Sequence, residues 1–212
     1  MRTFPLLVLL TLGVAASSCD SADSAADARL TVRLTDAPFP FDLAEAAEVT
    51  LTRIELLAAE PDDDASNDTS ATEGVRGRVV LFEGAARVNL LDLRDGVDTL
   101  LVDRAVIPAD GAYNRLRFFV ADDAEVRFTD GQVFALKLPS AQQSGIKVTL
   151  PEGAFLTGDD VDVLIDFNVE RSFVTRGNPG SAGFQGFLFK PVLEVESFEV
   201  AERPAAEAPT GG

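Results

Sequence analysis

The chain has no histidine and no tryptophan, and only one cysteine, one tyrosine and one methionine, in 212 residues. Each gap excludes something. Without histidine there is no Ser-His-Asp or Cys-His nucleophile and no His-ligated zinc or haem. A single cysteine cannot close an internal disulfide, so the core must be held by apolar burial. No tryptophan and a lone Tyr113 argue against a sugar-stacking platform. Positive charge is also scarce: 18 Lys and Arg stand against 35 Asp and Glu, for a formal net charge of -17. A field of that sign does not hold nucleic acid or anionic head groups. It keeps a chain dispersed in water and can draw in cations.

What the chain does have begins at its N-terminus. Arg2 precedes an apolar run from Phe4 to Val14, followed by Ala15-Ala16-Ser17-Ser18 and then Cys19. The run is too short for a mature membrane span. The segment resembles a bacterial lipoprotein signal peptide, although Ala16 stands where leucine is commonest. That resemblance implies cleavage before Cys19, lipid on its sulfur and amine, and a site in the bacterial cell envelope, facing the periplasm or displayed at the surface. The alternative is an ordinary secretory leader cut near Ala16, with Cys19 a free thiol. The expected organisation is a leader over 1–18, a flexible tether over 19–28, one domain over 29–200 and a disordered Ala/Pro/Glu/Gly-rich tail over 201–212. Roughly 170 residues are enough for a single core.

Between the ends the dominant period is two. Leu30, Val32 and Leu34 alternate with Thr31, Arg33 and Thr35, the pattern of a half-buried strand. Val49-Leu51 starts another, whose apolar face shifts at Arg53-Ile54, predicting a bulge. Further strands are expected at Arg78–Phe82, Arg87–Leu91, Arg115–Val120, Val126–Phe128, Val133–Leu136, Ile146–Leu150, Val161–Val169 and Phe187–Val200. Asp130-Gly131 suits a tight two-residue hairpin loop. Pro191 would put the last strand at an edge or a bulge. Helix is limited to short turns near Asp42–Ala47 and Asp92–Leu101. The expected fold is all-β: an antiparallel sandwich of immunoglobulin or transthyretin type with Greek-key connections and eight to ten short strands. Tyr113, entering the Leu116 strand after Pro108 and Gly111, fits a tyrosine corner or a half-buried strand start.

Five phrases carry a family resemblance: Leu34-Thr-Asp-Ala-Pro38, Asn89-Leu-Leu-Asp-Leu-Arg-Asp-Gly96, Ile107-Pro-Ala-Asp-Gly-Ala-Tyr113, Pro139-Ser-Ala-Gln-Gln-Ser-Gly-Ile-Lys147 and Lys190-Pro-Val192. Their order and spacing over residues 28–197 are similar to the DUF4382 family of exported bacterial and archaeal domains. The resemblance implies an exported β-sandwich and assigns no catalytic residue. The acidic stretch at 60–74 is longer than the family pattern needs, so any role for it belongs to this chain.

Three groups of side chains are candidate sites. Asp62, Asp64, Ser66, Asp68, Ser70 and Glu73 fall at positions one, three, five, seven, nine and twelve of a calcium-loop spacing. Asn67 stands where glycine is wanted and Pro61 abuts the first ligand, so the alternative is a solvated acidic loop. Ser140, Gln142, Gln143 and Ser144, with Asp36 at the end of the first strand, could read a ligand by hydrogen bonds. They could equally satisfy backbone ends or cap turns. Asp166 and Glu170, on one strand face by period two, could serve as a carboxylate pair or simply form a wet face. No other cofactor is implied. The expected function is a lipid-anchored, exported binding or envelope-structural module rather than an enzyme. A calcium-dependent binding or adhesion module using 62–73 is the alternative, and a carboxylate hydrolase is the third reading.

Overall fold

The computed structural model describes residues 27–36, 43–58, 77–108, 113–136, 144–151 and 159–202. Twelve strands lie among them: β1 (Ala28–Asp36), β2 (Ala44–Ala58), β3 (Arg78–Asn89), β4 (Thr99–Ile107), β5 (Tyr113–Val120), β6 (Glu125–Phe128), β7 (Val133–Ala135), β8 (Ile146–Thr149), β9 (Asp160–Phe167), β10 (Phe173–Thr175), β11 (Phe187–Phe189) and β12 (Leu193–Ala201). A 3-10 turn covers Leu90–Leu93 and one short helix, α1, covers Val169–Ser172. The fold is all-β, as the alternation predicts, with twelve strands among the described residues where eight to ten are expected.

Two larger sheets form the body. One runs β12-β9-β1-β4, and the other contains β7-β6-β2-β5-β8 with β3 also paired to β2. A third, two-stranded ribbon joins β10 to β11. Pairing is antiparallel except between β1 and β9, which run parallel from Arg29↔Asp160 to Asp36↔Phe167. The first sheet is therefore mixed, a correction to the purely antiparallel expectation. Parallel neighbours need a long connection, and all the intervening strands of the second sheet supply it.

Alternation decides which face goes inward. Leu30, Val32 and Leu34 of β1 and Val161, Val163, Ile165 and Phe167 of β9 are buried, as are Leu51, Ile54 and Leu56 of β2 and Leu116, Phe118 and Val120 of β5. They join one continuous core. Each fully buried side chain of this size contributes roughly 1.5–3 kcal/mol. The shift of face in β2 is real: its register against both β3 and β5 slips between Leu51 and Arg53.

Several local expectations need correcting. Arg78–Phe82 and Arg87–Leu91 belong to one strand, β3, which ends where Asn89 caps the 3-10 turn. The Asn89 side chain accepts from Ala47 N at 3.0 Å and from Leu91 N at 3.3 Å, tying that turn to β2. Ala44–Ala47 is strand rather than a helical turn, because it pairs with β6. Thr99–Leu101 is likewise strand, the start of β4. The Asp130-Gly131 hairpin has a three-residue loop. Phe128 N donates to Gln132 O, Gly131 N donates to Phe128 O, and only Gly131 takes a positive φ, of 85°. That is a tight turn closed by a glycine bulge.

Phe187–Val200 is two strands in two different sheets. Pro191 marks the crossing because it has no N–H to give a ladder. Ser172 pins the crossing: Lys190 N donates to its carbonyl at 2.8 Å and Val192 N to its hydroxyl at 2.9 Å. Val161–Val169 also stops early, at Phe167, where Asn168 caps α1 by accepting from Arg171 N at 3.0 Å.

Candidate functional site

Phenylalanines join the three sheets. Phe167 of β9 stacks on Phe189 at 6.2 Å, and Phe189 lies 4.7 Å from Phe173. Phe187 meets Phe173, Phe184, Phe128 and Phe134 edge-on, at 5.2 to 6.0 Å. Phe184 stacks on Phe128 at 5.7 Å. Edge-to-face contacts of this kind add about 0.5–1.5 kcal/mol per pair beyond area burial.

Above this cluster opens a cleft of about 390 Å³, lined by Leu43, Phe128, Thr129, Asp130, Gln132, Gly180, Ser181, Ala182 and Phe184. One wall is the β6–β7 hairpin loop. The Asp130 carboxylate there is held by Gln132, whose backbone N–H donates at 3.0 Å and whose side-chain amide donates at 2.6 Å. The other wall is the loop between β10 and β11. It is closed by Arg176 N to Gly186 O at 2.9 Å and Gln185 N to Arg176 O at 2.7 Å, with Ser181 and Phe184 in successive turns. The cleft thus brings the carboxylate of Asp130 and the hydroxyl groups of Thr129 and Ser181 together with Leu43, Phe128 and Phe184.

The sequence-predicted residues are scattered by comparison. Asp36 is buried at the end of β1, opposite Phe167 of β9. Ser144 is exposed just before β8, in the other sheet. Asp166 is half-buried on β9, whereas Glu170 is exposed in α1, so period two does not carry the pair along one strand face. Cys19, the loop residues Asp62, Asp64, Ser66, Asp68, Ser70 and Glu73, and Ser140, Gln142 and Gln143 lie outside the described residues. Among the described residues, no group of three or more Cys, Asp or Glu is placed to hold a metal ion. Tyr113 is half-buried, pairs with Ala58 and packs at the rim of the core.

A family described as a domain of unknown function matches residues 27–191. The chain belongs to the DUF4382 family. No curated protein and no solved structure matches it. The match takes in the β6–β7 hairpin and the β10–β11 loop, so both walls of the cleft belong to the DUF4382 domain itself. Sequence reasoning located Asp130-Gly131 only as a turn. The signal for the opposite wall was present as four phenylalanines, Phe173, Phe184, Phe187 and Phe189, around the glycine-rich stretch from Gly177 to Gly186.

Charged side chains on the outer faces are mostly matched. Arg87 donates two hydrogen bonds to Glu48, at 2.6 and 3.2 Å, and Glu125 and Arg127 complete a two-by-two network. The Arg87 guanidinium holds the Glu48 carboxyl below the usual carboxylate range. Arg33 lies between Asp98 and Asp162, Arg104 pairs with Asp160, and Arg171 pairs with Glu194. Such exposed pairs contribute little, about 0–1 kcal/mol each.

Proposed function

We propose that this DUF4382 domain is a lipid-anchored, exported binding module that takes a small organic cation into the Phe128–Phe184 cleft. The observation that carries the reading is the cleft, which sets one fixed carboxylate, Asp130, beside Phe184, Phe128 and Leu43. An ammonium group would meet the carboxylate while its apolar body lay on the rings. The net charge of -17 favours the approach of a cation at long range. Lipid on Cys19 would hold the domain at the membrane, and the residues between it and β1 would set its reach. Among the described residues, no helix is long and apolar enough to cross a bilayer.

Two measurements test this. NMR titration with benzylamine should shift resonances of residues 128–132 and 180–184, and benzyl alcohol should bind at least about tenfold more weakly. Asp130→Asn removes the charge and keeps one of the two acceptors, enough for the backbone N–H of Gln132. It should weaken benzylamine by about tenfold, the scale of one charge-assisted contact. Equal binding of amine and alcohol, or no shift in these loops, defeats the reading. For the anchor, Cys19→Ser should move the protein from the membrane fraction to the soluble fraction. A variant that stays with the membrane would show that the sulfur is not the attachment point.

A further inference from the structure

Glu55, on β2, is 1% exposed yet belongs to the sheet face that points away from the core, since its neighbours Ile54 and Leu56 are core residues. Three guanidinium groups surround it. Arg53 Nε lies 3.0 Å from Oε1, Arg78 Nη1 lies 3.5 Å from the same oxygen, and Arg117 Nε lies 3.2 Å from Oε2. Two of these arginines are also held from below, because the Arg53 and Arg117 guanidiniums sit 5.9 and 5.7 Å from the centre of the Phe119 ring. The register carries the positive strip onward, with Arg117 opposite Lys147 of β8.

This arrangement departs from the rest of the molecule. In a chain with 35 acids and 18 bases, the groups of Arg33 with Asp98 and Asp162, of Arg87 and Arg127 with Glu48 and Glu125, of Arg104 with Asp160 and of Arg171 with Glu194 each have at least as many acids as bases. Here three bases share one acid. The contacts are close but misaligned for hydrogen bonding: Nε of Arg53 and of Arg117 and both oxygens of Glu55 are buried with no hydrogen-bond partner. One carboxylate cannot use the donors of three guanidiniums, each of which carries about five. The surplus is reachable, since the Arg78 side chain is 53% exposed and that of Arg53 34%.

We propose that Arg53, Arg78 and Arg117, held in place by Glu55 and Phe119, form a site for an oxyanion group carried by a small ligand. Guanidinium forks match phosphate and carboxylate oxygens in pairs, which a lysine cannot do. The ligand is small because the chain as a whole repels a long polyanion. At physiological salt the screening length is about 8 Å, so a compact anion at the face feels the arginines more than the remote acids. Glu55 is a positioning residue here, aligning the donors without touching the ligand. The site is independent of the aromatic cleft.

The test is titration calorimetry of the full chain in detergent with pyrophosphate and, separately, with citrate. At least one should bind, and the two arms separate phosphate from carboxylate recognition. Arg78→Gln should weaken binding about tenfold, the worth of one charge-assisted contact, and Arg78→Gln with Arg117→Gln should weaken it further. Arg78 is exposed, so its single variant should keep the parent Tm and stay interpretable even where the double variant is unstable. Arg171→Gln, which touches only the Glu194 pair, should bind as the parent does. No heat with either anion overturns the proposal. So does unchanged affinity in Arg78→Gln, or tighter binding of long-chain polyphosphate than of pyrophosphate.

Discussion

Phe167→Ala is expected to cost about 3–5 kcal/mol of folding stability, the range for emptying a fully buried aromatic site. Phe167 is 0% exposed and ends β9. It is flanked by Asp36 of β1 on one side and Leu193 of β12 on the other, and its ring stacks on Phe189 of the small ribbon. The side chain therefore supports three neighbours at once, and none can collapse into the gap without leaving its own ladder. Phe167→Leu should lose much less, about 1–1.5 kcal/mol, because most of the volume is kept. Chemical denaturation at constant slope measures both. A Phe167→Ala loss below about 1 kcal/mol would mean that the ribbon does not depend on this contact for its docking.

The contrast between what the chain announces and what it conceals follows from how far each signal reaches along the sequence. β1, β5 and β9 are legible because β-branched and aliphatic residues alternate with polar ones over a whole strand. β4 is not, since Leu100 and Val106 are 52% and 51% exposed, so apolar residues fall on both faces and the period disappears. α1 and β10 span four and three residues. Elements that short are set by side-chain caps, from Asn168 and Ser172, rather than by any period. The division of Phe187–Val200 into two strands rests on the hydrogen bonds of Ser172, 18 and 20 residues away from their donors, Lys190 and Val192.

The groups proposed to bind ligands are harder to see for the same reason. Glu55 reads in sequence as one more acid on a wet strand face. It becomes buried only when β3 delivers Arg78 and β5 delivers Arg117 to either side of β2. The cleft joins a hairpin near residue 130 to a loop near residue 180, two segments with no local pattern in common. A sheet whose central strand recruits distant neighbours hides its chemistry in that pairing, while the alternation that builds its core stays in plain view.

Gly177→Ala should both destabilise the domain, by about 2–3 kcal/mol, and remove benzylamine binding from the cleft. Two separate costs combine at this position. Its φ of 93° lies where an L side chain is strained. A Cβ placed there would also stand 2.6 Å from the carbonyl oxygen of Gly183, a backbone atom that cannot swing aside. Relief requires the β10–β11 loop to open, which breaks the closing bonds between Arg176, Gln185 and Gly186 and displaces Phe184 and Ser181 from the cleft wall. Gly96→Ala separates the two costs. Its φ of 81° is similarly strained, but nothing lies within 4 Å of the added methyl group. It should lose only the conformational part, about 1 kcal/mol, and leave the cleft intact. Thermal unfolding and the benzylamine titration, run on both variants, give four readings. Equal stability losses at the two glycines, with binding retained in both, would show that the loop tolerates the collision and that its closure does not shape the site.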